Sequence, residues 1–337
     1  MFDALMVNKD EDTGKTHAEV TQIDLDRLPE GDVTVAVEYS TVNYKDGLCI
    51  GPGGGLVRKY PHIPGIDFAG TVEASDDDRY KPGDKVVLTG WRVGEAHWGG
   101  YAQKARVKAD WLVPLPEGLD TRQAMAVGTA GFTAMLSVMA LEDHGLVPGN
   151  GPVLVTGAAG GVGSIMVQLL KQRTKLNIIA SASRAETISW LEDLGADTIV
   201  NHRNPLSEEF AAKNLSEVDY VVSLNNTEQH LPEIEKVVKP QGQFALIDDP
   251  ETLNIVPFKN KSVSVHWELM FTRSLFKTDD MQEQHVILNN VATMIDQGQI
   301  KTTVGEHLGK INAANLRKAH QHLESQTAKG KVVLEGF

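Results

Sequence analysis

Residues 152–163 read Pro152-Val153-Leu154-Val155-Thr156-Gly157-Ala158-Ala159-Gly160-Gly161-Val162-Gly163. The first five form a short apolar run, the pattern of a strand buried on both faces. Glycines then cluster, and a helical pattern opens from Val162 to Lys171. Glycine lets the backbone turn tightly and approach a ligand closely. A helix N-terminus adds unpaired N–H groups and the positive end of a dipole. The combination suits a pyrophosphate, so Gly157, Ala159, Gly160, Gly161, Val162 and Gly163 are candidate cofactor-binding residues. A lone glycine motif is a weak signal; here a strand, the loop, a helix and a second strand follow in order.

Downstream the alternation continues. Strand patterns at 177–180, 198–200, 218–222 and 243–247 alternate with helix patterns at 186–194 and 231–238, the latter ended by Pro240-Gln241-Gly242. Strand–helix alternation predicts an α/β fold, a doubly wound parallel sheet of Rossmann type. It occupies residues 125–257, with Ala124 to Leu141 as its opening helix. Residues 1–124 differ: short β-branched runs such as Val33 to Tyr39, Ala69 to Val72 and Lys85 to Leu88 lie between Pro/Gly turns, which predicts a small irregular barrel. Residues 258–337 carry helix patterns at 281–297 and 313–324 and a closing strand at 332–334.

A chain of 337 residues predicts two domains. The net charge of −13 and the lack of basic runs argue against a nucleic-acid partner. An acidic surface does not attract anionic ligands from a distance, so an anionic ligand must meet a local basic pocket. The single cysteine, Cys49, rules out an intrachain disulfide and a cysteine-built zinc site. No signal-peptide pattern opens the chain, and the longest apolar runs read as too short to span a membrane, so a soluble cytoplasmic protein is expected.

The end of the second strand reads Ser181-Ala182-Ser183-Arg184, without the acid that would bind a ribose 2′-OH. Ser183 and Arg184 suit a 2′-phosphate, which predicts NADPH over NADH. Asn225, at the carboxyl end of the fourth strand of this domain, is a candidate for the nicotinamide ribose, and His202 for the adenine.

Further motifs carry a family resemblance. They are Asn43-Tyr44-Lys45-Asp46, 61–70 (PHIPGIDFAG), 89–100 (TGWRVGEAHWGG) and 128–135 (GTAGFTAM). With the glycine loop they resemble the medium-chain dehydrogenase/reductase superfamily, in its zinc-free, quinone-oxidoreductase-like branch. The first half is most similar to the acrylyl-CoA reductases. Residues 266–274 (HWELMFTRS) and the ending 330–337 (GKVVLEGF) look like the branch labelled zinc-type alcohol dehydrogenase-like. The resemblance therefore changes between residues 150 and 180, as in a natural or engineered recombinant.

The resemblance implies a GroES-like, mostly β catalytic domain interrupted by the cofactor domain. Zinc-dependent relatives carry a cysteine where Asn43 stands and a histidine where Ile66 stands; neither residue here is a useful zinc ligand, so no metal is expected. Without zinc, the expected chemistry is hydride addition to the electron-poor alkene of a small unsaturated carbonyl or thioester, best exemplified by acryloyl-CoA. Such a reaction needs donors to a developing enolate and a proton for the α carbon. Asn43 and Tyr44 are the candidate donors and Asp46 the residue that orients them. Asp67 reads as a buried acid satisfied by backbone N–H groups. Thr129 matches a cofactor-contacting position of the superfamily, and Lys331 is a candidate for the cofactor phosphates. Arg58, Arg92 and Arg273 are candidate cations for a CoA thioester, and Tyr44 and Trp98 candidate walls of the pocket. A broad quinone or enone reductase, a zinc alcohol dehydrogenase and an NADPH-binding protein without turnover are the alternatives. A homodimer is expected, with residues 262–265 extending the sheet across a two-fold axis.

Overall fold

The computed structural model describes residues 1–50, 56–57, 59–115, 118–325 and 327–337. In chain order, β1 (Phe2–Lys9), β2 (Thr16–Ile23) and β3 (Val33–Thr41) lead to helix α1 (Tyr44–Ile50). Strands β4 (Asp67–Ser75), β5 (Lys85–Thr89), β6 (Lys104–Val107) and β7 (Leu112–Pro114) precede the long helix α2 (Thr121–Asp143). The middle of the chain runs β8 (Pro152–Thr156), α3 (Gly161–Leu169), β9 (Asn177–Ser181), α4 (Ala185–Asp193), β10 (Thr198–Val200), α5 (Leu206–Ala212), β11 (Val218–Ser223), α6 (Thr227–Val237), β12 (Val238–Leu246) and β13 (Ser264–Trp267). The last part holds α7 (Thr272–Phe276), α8 (Glu283–Asp296), β14 (Val304–Lys310), α9 (Ala313–Glu324) and β15 (Lys331–Glu335).

The chain forms two compact units, one of residues 1–132, 270–297 and 302–337, the other of residues 133–269 and 298–301. These bounds differ from the expected 124/125 and 257/258. Helix α2 begins in the first unit, and β13 belongs to the second because it pairs with β12 in parallel, Phe244 opposite Val265.

The first unit carries a seven-stranded sheet with the order β14-β15-β3-β4-β5-β7 and β6 also on β3, beside the β1–β2 hairpin. The late strand β15 is antiparallel to β3, with Val333 opposite Thr41, so the end of the chain lies beside the start of the Asn43 loop. One core gathers Val35, Phe68, Leu88 and Leu112; another gathers Leu5, Ile23, Ile63 and Tyr101.

The second unit carries a six-stranded parallel sheet with the order β10-β9-β8-β11-β12-β13. The order reverses between β8 and β11, and ligands of such sheets bind at the carboxyl ends flanking that reversal. Leu154, Val221, Phe244 and Phe258 share its core.

Several expectations are corrected. Pro240-Gln241-Gly242 does not end α6 but lies within β12, where the register on β11 shifts and Gln241 takes a φ of 65°. Helix α5 and the β1–β2 hairpin carry no signal strong enough to be predicted. Helix α2 is, by length and composition, apolar enough to cross a membrane, contrary to the reading of short apolar runs. In the protein 94% of its most apolar window is buried, and Gly128 breaks it with non-helical torsions (φ 9°, ψ −124°).

Candidate active site

In the second unit the glycine loop follows β8 without a break, and each glycine that defines it has its own reason. Gly157 has a φ of +69°, and a Cβ there would lie 2.4 Å from Asn225 Oδ1, so the loop and Asn225 touch. A Cβ on Gly163 would fall 2.4 Å from the Ala158 carbonyl oxygen, so α3 packs directly on the loop. Gly160 differs: the nearest atom to a Cβ is Gly157 O at 3.6 Å. Gly160 is also the N-cap of α3 and offers no side-chain cap. The first-turn N–H groups of α3 therefore have open space at Gly160, the room a phosphate requires. Thr156 Oγ1 and Ser223 Oγ, 2.9 Å apart, tie the carboxyl ends of β8 and β11 together beside it.

Ser183 and Arg184 follow β9, both partly buried. The Arg184 guanidinium pairs with Glu186 at 2.8 Å; that carboxylate is exposed, and such a pair holds its partner weakly. His202, after β10, is exposed and sits edge-on to His230 with centroids 6.4 Å apart.

In the first unit the Asn43 loop closes on a buried polar cluster. Asp46 and Asp67 are fully buried and Lys331 nearly so, at 6% exposure. Asp46 Oδ2 accepts from Asn43 N at 2.8 Å and from its Nδ2 at 3.2 Å, and Asp46 Oδ1 accepts from Ile66 N at 2.9 Å. Asn43 Nδ2 also donates to Thr41 Oγ1 at 3.0 Å and lies 3.2 Å from Asp67 Oδ2. Lys331 Nζ donates to Val42 O at 3.0 Å and to Asn43 Oδ1. Tyr101 OH donates to Thr41 O at 3.0 Å. Burial, and then the Asp67 charge, push the Asp46 carboxyl up to about 7 against the backbone donors of Asn43 and Ile66. Burial lowers the Lys331 ammonium, against the pull of Asp67 and Asp46.

This geometry revises several sequence-based roles. Asn43 turns its amide inward, its Nδ2 on Thr41, Asp46 and Asp67 and its Oδ1 on Lys331. Asp46 has no exposed surface and accepts from the Asn43 N–H and side-chain amide and from Ile66. Lys331, a candidate for the cofactor phosphates, places its ammonium in the cluster, on Val42 O and Asn43 Oδ1. Asp67 is satisfied by the Thr41 hydroxyl at 2.8 Å and the Asn43 amide, not by backbone. Tyr44 is the outward member of the loop, 68% exposed. Thr129 is buried one residue beyond the Gly128 break, its hydroxyl on that of Thr89.

Among the candidate cations, Arg92 pairs with Glu95 at 3.1 Å and Arg273 with Asp280 at 2.9 Å. Arg58 lies outside the described residues. Trp98 is partly buried and packs on the Leu5–Ile63–Tyr101 core. Thr41 and Tyr101 were missed from sequence; both look like ordinary strand and core residues until β3, β4 and β15 meet. Among the described residues no three His, Cys, Asp or Glu side chains gather as a metal site.

Two family models match: the alcohol dehydrogenase GroES-like domain over residues 29–117 and the zinc-binding dehydrogenase over 194–334. A zinc-type alcohol dehydrogenase-like protein of Staphylococcus aureus is 32% identical over 286 residues, 82% of this chain and 84% of that protein. The solved structure of a Rhizobium etli protein assigned to the zinc-dependent alcohol dehydrogenases superposes with a TM-score of 0.86 and 38% identity, covering 100% of this chain and 98% of that one. The chain belongs to the medium-chain dehydrogenase/reductase superfamily.

Within this superfamily the likeness is uneven. Acrylyl-CoA reductase AcuI of Ruegeria pomeroyi is 76% identical, but over 200 residues, 59% of this chain and 60% of that enzyme. The chain thus matches about three fifths of the length of that reductase. The Salmonella enterica yhdH oxidoreductase, solved in complex with NADP, aligns over 99% of both chains with a TM-score of 0.77 and 35% identity. YhfP of Bacillus subtilis, assigned as a quinone oxidoreductase, is 46% identical over 204 residues, 60% of this chain and 61% of that protein, and its solved structure holds NAD.

Proposed function

We propose that this member of the superfamily is an NADPH-dependent reductase of small α,β-unsaturated carbonyl compounds or thioesters, with the conversion of acryloyl-CoA to propionyl-CoA as its reaction. The observation that carries the reading is the 76% identity to an acrylyl-CoA reductase over 200 residues. The Asn43 loop supports it, because Tyr44 is the group it leaves outside the cluster. The open cradle at Gly160 fits a dinucleotide pyrophosphate, and Ser183 with Arg184 fits a 2′-phosphate. The reduced nicotinamide supplies a hydride for the β carbon. The phenol of Tyr44 is the donor available to the developing enolate oxygen and to the α carbon, directly or through water. The polar groups behind it hold the loop still, so that the donor is in place before charge develops. We assign the segments before and after the nucleotide-binding unit to one catalytic domain. We further read the protein as cytoplasmic, zinc-free and a homodimer built through the edge strand β13, whose Trp267 is half exposed.

A broad quinone or enone reductase is the second reading, favoured by the likeness to YhfP. The test is NADPH oxidation, with a chelator present, offered acryloyl-CoA, a simple quinone, and separately an alcohol with NADP⁺. Turnover of the thioester alone supports the first reading; turnover of quinone but not thioester replaces it with the second. If NADPH binds and nothing turns over, the protein is a binding protein and the catalytic reading falls. Arg184→Ala should weaken NADPH about tenfold to a hundredfold, the loss of one or two charge-assisted hydrogen bonds, with NADH unaffected. Equal weakening of both cofactors would remove the 2′-phosphate argument.

A further inference from the structure

We propose that Lys331 is a positioning residue for the Tyr44 loop: its ammonium is the buried counter-charge that holds Asn43, and through Asn43 the Asp46–Asp67 pair, in one arrangement. The kinetic part of this proposal rests on the reductase reading; the electrostatic part does not.

Two residues precede Tyr44, and each is pinned by a side chain of the cluster. The Val42 carbonyl accepts from Lys331 Nζ at 3.0 Å, and the Asn43 N–H donates to Asp46 Oδ2 at 2.8 Å. An ammonium has donors only, so the end of the Asn43 amide that meets it must be the oxygen. The Asn43 Nδ2 is thereby turned to Thr41, Asp46 and Asp67. Lys331 is itself held by its strand, its N–H on Thr303 O at 2.8 Å. It reaches Asn43 across 288 positions of sequence. With both carboxylates ionised, the cluster carries two negative charges against one positive charge. Removing the lysine leaves the acids facing one another with no cation, which favours a proton on one of them. Among the described residues, titratable groups near Asp46 also include Tyr101, whose hydroxyl is on Thr41 O, the buried Cys49 on α1, its neighbours Lys45 and Glu95, and His320 of α9, which packs on Gly47.

The test uses the full chain with Lys331→Met, Lys331→Arg and the double variant Lys331→Met/Asp67→Asn. The Asp46 carboxyl is titrated by ¹³C NMR, the Asn43 and Tyr44 amide resonances are followed, and kcat and KM are measured with acryloyl-CoA. Lys331→Met should raise the Asp46 midpoint by about one pH unit or more and move both amides. It should lower kcat about tenfold while the KM for NADPH stays within about threefold, since a positioning loss falls on the reacting geometry. Lys331→Arg and the double variant should return the midpoint toward that of the unaltered protein. A folded Lys331→Met with an unchanged midpoint overturns the proposal. If Lys331→Met does not fold, Lys331→Arg decides: a folded protein with the original midpoint supports a role for charge, and loss of folding in both overturns it. If the unaltered protein turns over neither thioester nor quinone, the reductase reading fails while the carboxyl titration still decides what Lys331 does.

Discussion

The glycine loop and the Asn43 cluster solve opposite problems. The loop, residues 157–163, is contiguous, works through its backbone, and is left open at Gly160. The cluster draws on Thr41, Asn43, Asp46, Asp67 and Lys331, works through side chains, and is closed to solvent. A site that binds by backbone needs residues that stay out of the way, so its signature is glycine at fixed spacing. A site that orients by buried charge needs partners for every donor and acceptor, and folding can bring those partners from anywhere in the chain.

The largest effect expected from this contrast belongs to Gly163→Ala. The new Cβ would meet three backbone atoms of Ala158 within 2.5 Å, and backbone cannot move aside cheaply. Destabilisation of about 3 kcal/mol is expected in urea melts monitored within the nucleotide-binding unit. A tolerated alanine would break the claim that backbone crowding shapes the loop. Gly160→Ala sharpens the same comparison: its Cβ meets nothing closer than 3.6 Å, so stability should change by less than about 0.5 kcal/mol. NADPH affinity, measured by calorimetry, should fall about tenfold, equal to roughly 1.4 kcal/mol of lost contact. Unchanged affinity would move the phosphate site elsewhere.

The smallest effect is a slope in stability against pH. The folded Asp46 carboxyl stands at about 7 against an ordinary 3.8, so the folded state holds a proton that the unfolded state releases. Its contribution is present below the unfolded value and is lost as pH rises through the folded one. His320 has the opposite sign: burial lowers its imidazole from 6.5 to about 4, and its Nε2 is buried without a partner among the described residues. Its contribution is present above 6.5 and is lost as pH falls toward 4. The two oppose each other between those limits. His320→Gln should flatten the acid limb there and expose the Asp46 decline, whereas Asp46→Asn should steepen the acid limb. Melting curves from pH 4 to 7 that are superimposable for both variants would show that neither group is shifted by folding.

Much of the architecture was legible in one dimension. Strand β8, the helix after it and the strand that follows stand where the apolar run, the glycines and the second run placed them. Helix α9 starts and ends at the predicted residues, Ala313 and Glu324. Pro240-Gln241-Gly242 misled because a bulge inside a strand and the end of a helix use the same residues. The membrane reading missed α2 because scattered glycines and threonines divide an apolar helix into short runs, while in the fold 94% of its most apolar window is buried.

By itself the sequence determined the parallel sheet and the glycine loop that follows β8, because periodicity and glycine spacing are local properties of the chain. Tertiary structure alone decided that Asn43 faces inward and Tyr44 outward. It also buried Lys331, with its ammonium on Val42 O and Asn43 Oδ1. Those outcomes follow from β15 pairing with β3, which sets an ammonium near the end of the chain against an amide near its beginning. No local pattern encodes that pairing, and the charge balance it creates exists only once water has been excluded.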